Sequence, residues 1–132
     1  MLVGGLAAGV VVNIGEFALN GLILQETWDE AMRSLGRPPV AGASIAWLAL
    51  MSLALGVVTV WVYAILRPSS RTGREATVRA AFLCWLLAYV FGFGWSAALG
   101  VFSAAIYWAT LPWSFLELLL GALAGVWLYR AR

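Results

Sequence analysis

The chain has 132 residues, of which 64% are hydrophobic and 11% are charged, and its formal net charge is +2. Soluble domains are about 45–50% apolar and about 25% charged, and a chain of this length cannot enclose so much apolar surface in its own core. The composition therefore excludes an ordinary soluble domain, and the small, scattered charge excludes a nucleic-acid-binding protein.

Four apolar stretches are long enough to cross a hydrocarbon core of about 30 Å, which takes about 20 helical residues. They cover approximately residues 2–24, 42–66, 77–99 and 112–130. The first residues, Met-Leu-Val-Gly-Gly, lack the basic segment that begins a signal peptide, so we expect the first stretch to be a retained span. The sequence predicts an all-α, polytopic membrane protein with four transmembrane helices in a compact bundle, and one transmembrane domain over residues 1–132.

The segment 25–36, between the first and second spans, is polar on most sides. Trp28, Met32 and Leu35 recur in it at helical spacing, and Gly36 with the two prolines that follow ends the pattern. We expect a short amphipathic helix on the membrane surface. The alternative is a solvated loop with a single helical turn.

The end of the third span is not sharply marked, because residues 100–110 are still apolar and aromatic. They fit either a helical extension or a re-entrant hairpin at the interface. Pro112 is suited to the first turn of a helix, so we expect the fourth span to begin near it.

The arginines indicate how the chain crosses the membrane. Two of the eight, Arg33 and Arg37, lie on one side next to three acids, and the other six lie on the side of the N-terminus. These six are Arg67, Arg71, Arg74, Arg79, Arg130 and Arg132. The positive-inside rule predicts that both termini are cytoplasmic, in a cell inner membrane. Aromatic residues expected at the inner interface are Trp61, Tyr63, Trp127 and Tyr129, and those expected at the outer one are Trp28, Trp108 and Trp113.

Each span carries one face of small residues. Helices in lipid associate through close backbone contact and a few hydrogen bonds, so these faces predict the helix contacts. The clearest cases are Gly5-x-x-x-Gly9 and Gly121-x-x-x-Gly125. In the third span the predicted face comprises Ala81, Cys84, Ala88 and Gly92.

The first span also carries a polar stripe, in which Asn13, Glu16 and Asn20 share a face at 100° per residue. Glu117 lies on the small-residue face of the fourth span. An acid at the centre of a span costs about 2.5–3.5 kcal/mol to insert, and both carboxyl groups are expected in the outer half of the bilayer. If spans one and four are neighbours, the two groups face each other and one would hold a proton near neutral pH. The candidate polar site is Asn13, Glu16, Asn20 and Glu117.

Two interpretations of the stripe remain open. In the first, a protonated Glu16 is hydrogen-bonded to Asn13 and Asn20 and joins helices together. In the second, Glu16 and Glu117 bind a proton or a cation. We favour the first, because no second motif supports a site and the outer half of the spans contains no Arg as a counter-ion.

The sequence contains no motif that indicates a metal site, a cofactor site or a catalytic site. The chain has no His and a single Cys, Cys84, so the usual ligands of zinc and haem are missing. Nucleophile–base pairs, phosphate-binding loops and dinucleotide fingerprints are also absent from the sequence. We therefore predict no cofactor, no metal and no enzymatic activity.

Two resemblances follow from this layout. With a carboxylate, Glu16, in the first of four short spans, the chain resembles the small multidrug-resistance transporters. The likeness covers Glu16 and the size of the chain and does not extend to the later spans. It therefore transfers no function. The order of a span, a surface segment with Trp28 and Met32, and three more spans is similar to uncharacterised small four-helix bacterial integral membrane proteins. That likeness covers the whole chain and implies no activity.

The function we favour from the sequence is a non-catalytic accessory or structural subunit of a larger membrane complex, respiratory or photosynthetic. The small extramembrane mass and the missing cofactor ligands favour it. Expected partners are the lipid bilayer, other membrane subunits or further copies of the chain, with partner, lipid or pigment contacts through aromatic residues outside the packing faces. These residues are Phe82, Trp85, Phe91 and Phe93. The alternative is a small proton-coupled transporter that uses Glu16, with Glu117 as its acidic companion.

Overall fold

The computed structural model describes residues 1–131, so Arg132, one of the six arginines assigned to the cytoplasmic side, lies outside the described residues. Over that range the chain is helical, without strands. Its helices are α1 (Leu2–Ile23), α2 (Gln25–Ser34), α3 (Ala43–Leu66), α4 (Gly73–Ala98) and α5 (Ala104–Arg130). All except α2 are long and apolar enough to cross a membrane. The chain is thus a multi-pass membrane protein, and the predicted four-helix bundle with a short helix between its first two spans is confirmed.

Helix α1 packs between α3 and α5 through glycines on two of its sides. Gly5 and Gly9 face α3, and a Cβ on Gly9 would lie 2.5 Å from the Leu53 Cα. Gly121 and Gly125 face α1 from α5, and a Cβ on Gly125 would lie 2.5 Å from a backbone oxygen of α1. Because side chains do not make contacts this short, glycine is what allows the three backbones to approach. Both predicted small-residue motifs are therefore helix contacts.

Helix α4 closes the bundle on the far side, against α3 and α5. Its buried alanines, Ala76 and Ala80, pack against Tyr63 and Val126. Tyr63, which we expect at the depth of the inner interface, is buried between the helices, with only 2% of it exposed. Its ring points between the helices, edge-on to Tyr129 at 6.2 Å between centroids.

Two of the spanning helices change from α to π geometry part-way along. In α1 the π segment is Phe17–Ile23, and in α4 it is Leu86–Phe93. The Leu24 N–H, for example, donates to the Leu19 carbonyl at 2.7 Å, five residues back. Such segments are rare and occur frequently at functional sites.

The π segment of α4 alters which residues face the bundle. Ala81 and Cys84 are buried as predicted, but Ala88 and Gly92 are exposed, so the predicted face is wrong beyond Cys84. A helix with i→i+5 bonds turns less per residue than an α-helix. The inward position is therefore taken five residues after Cys84, by Tyr89.

The fourth span begins at Ala104, with Pro112 inside the helix, so the predicted start near Pro112 is wrong. Residues 100–110 are a tight turn followed by helix, and not a re-entrant hairpin. Gly100, at a φ of +73°, ends α4, and the Val101 N–H donates to the Ser96 carbonyl at 3.1 Å. A proline removes one backbone donor, and the carbonyl that loses its partner is that of Trp108, four residues before Pro112. Close by, the Trp85 indole N–H donates to the Leu111 carbonyl at 3.0 Å and ties α4 to α5.

The third span starts at Gly73, a turn earlier than its apolar run suggests. Thr72 caps it, since its hydroxyl accepts a hydrogen bond from the Glu75 N–H at 3.1 Å. Helix α2 ends as predicted, with Gly36 at a φ of +67° and the Arg37 N–H donating to the Met32 carbonyl at 2.9 Å.

Candidate functional site

Two intramembrane carboxyl groups meet at one tyrosine. The Tyr89 hydroxyl oxygen lies 2.6 Å from Glu16 Oε1 and 3.2 Å from Glu117 Oε1. The three residues belong to three different helices, α1, α4 and α5. The structure therefore brings the two predicted acids together, because α1 and α5 are neighbours, and it adds a hydroxyl between them.

Glu117 is the most enclosed member of this cluster. Only 5% of the residue is exposed, and its Oε2 has no hydrogen-bond partner within residues 1–131. Space for it exists because α1 has a glycine opposite: a Cβ on Gly15 would lie 2.8 Å from the Glu117 Cβ. The Trp113 indole N–H donates to the Gly15 carbonyl at 3.0 Å and holds α5 against α1 at this level.

Glu16 continues the hydrogen-bonded chain toward α2. Its Oε2 accepts from the Asn20 amide at 2.5 Å, and the Asn20 Oδ1 accepts from the Trp28 indole N–H at 2.9 Å. Asn20 lies inside the π segment of α1. A continuous series of polar groups thus runs from the buried Glu117 to the surface helix, and such a series behaves as a unit rather than as separate bonds.

Asn13 does not join the carboxyl cluster. Its amide donates to the Gly9 carbonyl and to the Ala49 carbonyl, both at 3.1 Å. It therefore ties α1 to α3. The expected bond between Glu16 and Asn13 is absent from the hydrogen bonds of Asn13, whereas the expected bond between Glu16 and Asn20 is present.

The cluster lies at one depth, although its members sit differently on their helices. Glu16 is about two turns from the end of α1 at Ile23. Glu117 lies midway between Ala104 and Arg130. Glu117 was expected in the outer half of the bilayer from a span that began near Pro112; because the helix begins at Ala104, Glu117 lies at its middle.

The charge of the two acids is not balanced by a cation from the described part of the chain. The one ion pair in residues 1–131 joins Arg79 and Glu75 at 2.8 Å, at the end of the bundle that carries the N-terminus. The same residues hold no group of three or more Cys, Asp or Glu side chains arranged to bind a metal. Within residues 1–131 the carboxyl oxygens of Glu16 and Glu117 therefore have hydrogen-bond donors beside them and no cationic side chain.

Three aromatic rings, those of Trp28, Phe93 and Phe102, pack together on the α2 side of the two acids. The Trp28 ring lies 5.3 Å from Phe102 and 6.2 Å from Phe93, and Phe93 stacks on Phe102 at 4.4 Å between centroids. Trp28 was predicted as an interface anchor. It does more, because it holds α2 over the end of α1 and bonds Asn20 at the same time.

The aromatic residues predicted to contact partners divide into two groups. Phe82 and Phe91 are exposed on the outside of the bundle. Trp85 and Phe93 are not: the Trp85 indole bonds Leu111 and Ser114 of α5, and Phe93 belongs to the aromatic cluster. Their inward orientation follows from the close approach of α4 to α5 and from the π segment.

Tyr89 and Trp28 are the site residues that the sequence did not reveal. The π segment that turns Tyr89 inward has no sequence signature, and the Asn20–Trp28 bond crosses a helix boundary at Leu24. Comparison of the chain with protein-family models, with curated proteins and with solved structures gave no match.

Proposed function

We propose that the chain is a small, non-enzymatic membrane protein that binds and releases a proton at Glu16, Tyr89 and Glu117, as a proton-coupled transporter does. The observation that supports this is two carboxyl groups on one hydroxyl, inside a span, with no cation beside them in residues 1–131. Two like charges in one buried site repel each other, and a shared proton removes the repulsion. Ionisable residues within membrane spans mark ion and proton pathways by default.

The geometry suggests where the proton lies. A tyrosine hydroxyl donates one hydrogen and can accept another. The shorter contact, at 2.6 Å, has Tyr89 donating to Glu16. The contact at 3.2 Å is then made by a protonated Glu117 that donates to the Tyr89 oxygen.

Proton transfer through this arrangement balances without any other group. Glu117 gives its proton to the Tyr89 oxygen as the original Tyr89 proton passes to Glu16. The tyrosine is unchanged, and one proton has moved from the buried acid to the partly exposed one. From Glu16 the hydrogen-bonded series leads through Asn20 toward α2.

Labelling with a hydrophobic carbodiimide tests the protonation, because the reagent reacts with protonated carboxyl groups. In vesicles at neutral pH we expect mass spectrometry to find the label on Glu16 or Glu117, and the labelling to fall as the pH rises. Glu26, exposed on α2, is the internal control and should stay unlabelled. Equal labelling of Glu26 and the two intramembrane acids would contradict the proposal.

The transport step needs a separate measurement. In proteoliposomes with a trapped pH dye and an imposed pH gradient, Glu16→Gln and Glu117→Gln are each expected to slow proton movement at least tenfold, since either change removes a site of the series. Glu26→Gln is the matched control. Wild-type rates in both intramembrane variants would remove the pair from the mechanism.

The membrane and the orientation belong to the same proposal. We place the chain in a cell inner membrane with both termini cytoplasmic, on the arginine distribution. Arg71→Cys and Arg37→Cys mark the two sides. In intact cells an impermeant maleimide should label the second and not the first, and the reverse result would invert the orientation.

An accessory subunit is the second candidate function. It is supported by the start of α3, where residues 43–48 are all exposed. The next residue, Ala49, accepts a hydrogen bond from Asn13 of α1. Another membrane subunit packed there, in a respiratory or photosynthetic complex, would cover them. Mild solubilisation of native membranes followed by mass spectrometry of co-migrating proteins tests this, and a lone small oligomer would contradict it.

A further inference from the structure

At the end of the bundle that carries the N-terminus, a cavity of about 480 Å³ opens between the start of α4 and the end of α5. Arg74 and Arg130 line its mouth, and its floor is apolar, with Leu123, Val126 and Trp127. The proton site plays no part in it. Its lining combines a cationic entrance with an apolar groove that faces the lipid.

The first turn of α4 offers free backbone donors at this mouth. The first N–H groups of a helix have no partner within it, and they attract anions. Thr72 takes only the Glu75 N–H, so the N–H groups of Gly73 and Arg74 are left without a partner in residues 1–131. A Cβ on Gly73 would lie 3.2 Å from Arg130 Nη1, so the missing side chain lets the Arg130 guanidinium close over these donors.

The Tyr63 hydroxyl is aimed at the same point. Tyr63 is only 2% exposed, and within residues 1–131 its hydroxyl forms no hydrogen bond. The oxygen lies 3.5 Å from where a Cβ on Gly73 would be. The hydroxyl is therefore free to donate a hydrogen bond to a ligand atom beside Gly73.

The local charge calls for an anion. Arg67 Nε lies 3.8 Å from the same Cβ position on Gly73. Glu75, the one acid at this end of the described chain, is paired with Arg79 at 2.8 Å. Arg67, Arg74 and Arg130 therefore lie near the first turn of α4, and within residues 1–131 none of them forms a salt bridge with Glu75 or another carboxylate.

We propose that this cavity binds an anionic phospholipid. The headgroup phosphate is held by Arg130, Arg74, the free N–H groups of α4 and the Tyr63 hydroxyl, and an acyl chain lies along the groove. Basic pockets between transmembrane helices are suited to acidic headgroups. The groove selects a lipid over free phosphate, because Trp127 is 70% exposed and extends the apolar floor to the bilayer.

Native mass spectrometry of the purified protein, with counting of bound lipids, tests the proposal. Phosphatidylglycerol, phosphatidylcholine and inorganic phosphate are the probes. We expect phosphatidylglycerol to bind at least tenfold more tightly than phosphatidylcholine and to resist displacement by inorganic phosphate. Equal binding of the two lipids, or displacement by phosphate at matched concentration, would overturn the proposal.

Three variants separate a built site from diffuse attraction to a basic surface. If the attraction is diffuse, each arginine removed should weaken lipid binding about fivefold. Arg79→Gln is the control for this diffuse effect, because the Arg79 guanidinium is paired with Glu75. Arg130→Gln should weaken phosphatidylglycerol binding about twentyfold, and Tyr63→Phe, which keeps the ring, at least threefold. Equal losses in Arg130→Gln and Arg79→Gln, or unchanged binding in Tyr63→Phe, would refute the assigned geometry.

Discussion

Replacing Tyr89 by phenylalanine removes a single oxygen from the centre of the site and keeps the ring that packs there. The lost oxygen serves two carboxyl groups, Glu16 at 2.6 Å and Glu117 at 3.2 Å. Because both carboxyl groups lie inside the bundle, water does not readily replace it. The change therefore tests the network with little disturbance of packing.

The expected cost follows from the kind of hydrogen bond that is lost. Hydrogen bonds between membrane helices contribute on average about 0.6 kcal/mol, and at most about 1.7 kcal/mol. Bonds to charged groups contribute about 1.5–3 kcal/mol. With one bond to a carboxylate and one to a neutral acid, Tyr89→Phe is expected to lower the free energy of unfolding by about 2–3 kcal/mol.

Tyr107→Phe is the matched control. Its hydroxyl donates one bond, to the Val90 carbonyl at 2.9 Å, and that bond is neutral. The control should cost about 0.6 kcal/mol. Both variants can be unfolded with a denaturing detergent in mixed micelles and followed by far-UV circular dichroism. A loss in Tyr89→Phe no larger than that in Tyr107→Phe would show that the hydroxyl does not join two acids.

Three further predictions concern the scaffold around the site. Gly9→Ala should lower the free energy of unfolding by about 1–3 kcal/mol, as overpacking does, because its Cβ would lie 2.5 Å from the Leu53 Cα. The exposed Gly92→Ala, whose Cβ would lie 3.2 Å from the Leu87 carbonyl oxygen, should change it by no more than about 1 kcal/mol. Equal unfolding midpoints of the two variants would contradict the close contact at Gly9. Thr72→Ala removes the cap of α4 and should cost about 1 kcal/mol in the same unfolding assay, an unchanged midpoint being the contrary result. Trp28→Phe keeps an aromatic ring but removes the bond to Asn20, so hydrogen–deuterium exchange across α2 should rise about threefold. Exchange as slow as in the wild type would show that this bond does not hold α2.

The membrane architecture was predictable because lipid imposes simple requirements on a sequence. Spans must be long and apolar, and their contacts must use small residues, so Gly9 and Gly121 marked real helix interfaces. The surface helix was predictable because Gly36 and the two prolines end it. The start of α5 was not, because proline is typical of a first helical turn but is also tolerated inside a membrane helix, where Pro112 lies.

The site was predictable only in its acids. Glu16 and Glu117 attract attention because charge in a span is costly, and their meeting required only that α1 and α5 be neighbours. Tyr89 was hidden because its direction depends on backbone bonds five residues apart in α4. Asn13 was misassigned because sharing a helical face with Glu16 does not determine which carbonyl its amide finds.

The central claim is that the two acids share a proton through Tyr89, and infrared spectroscopy of the protein in lipid tests it most directly. A protonated carboxyl group has a carbonyl stretch well separated from that of a carboxylate. At neutral pH we expect this band in the wild type and in Glu26→Gln, and its loss in Glu117→Gln. Absence of the band from the wild type, or its persistence in Glu117→Gln and Glu16→Gln alike, would contradict the shared proton.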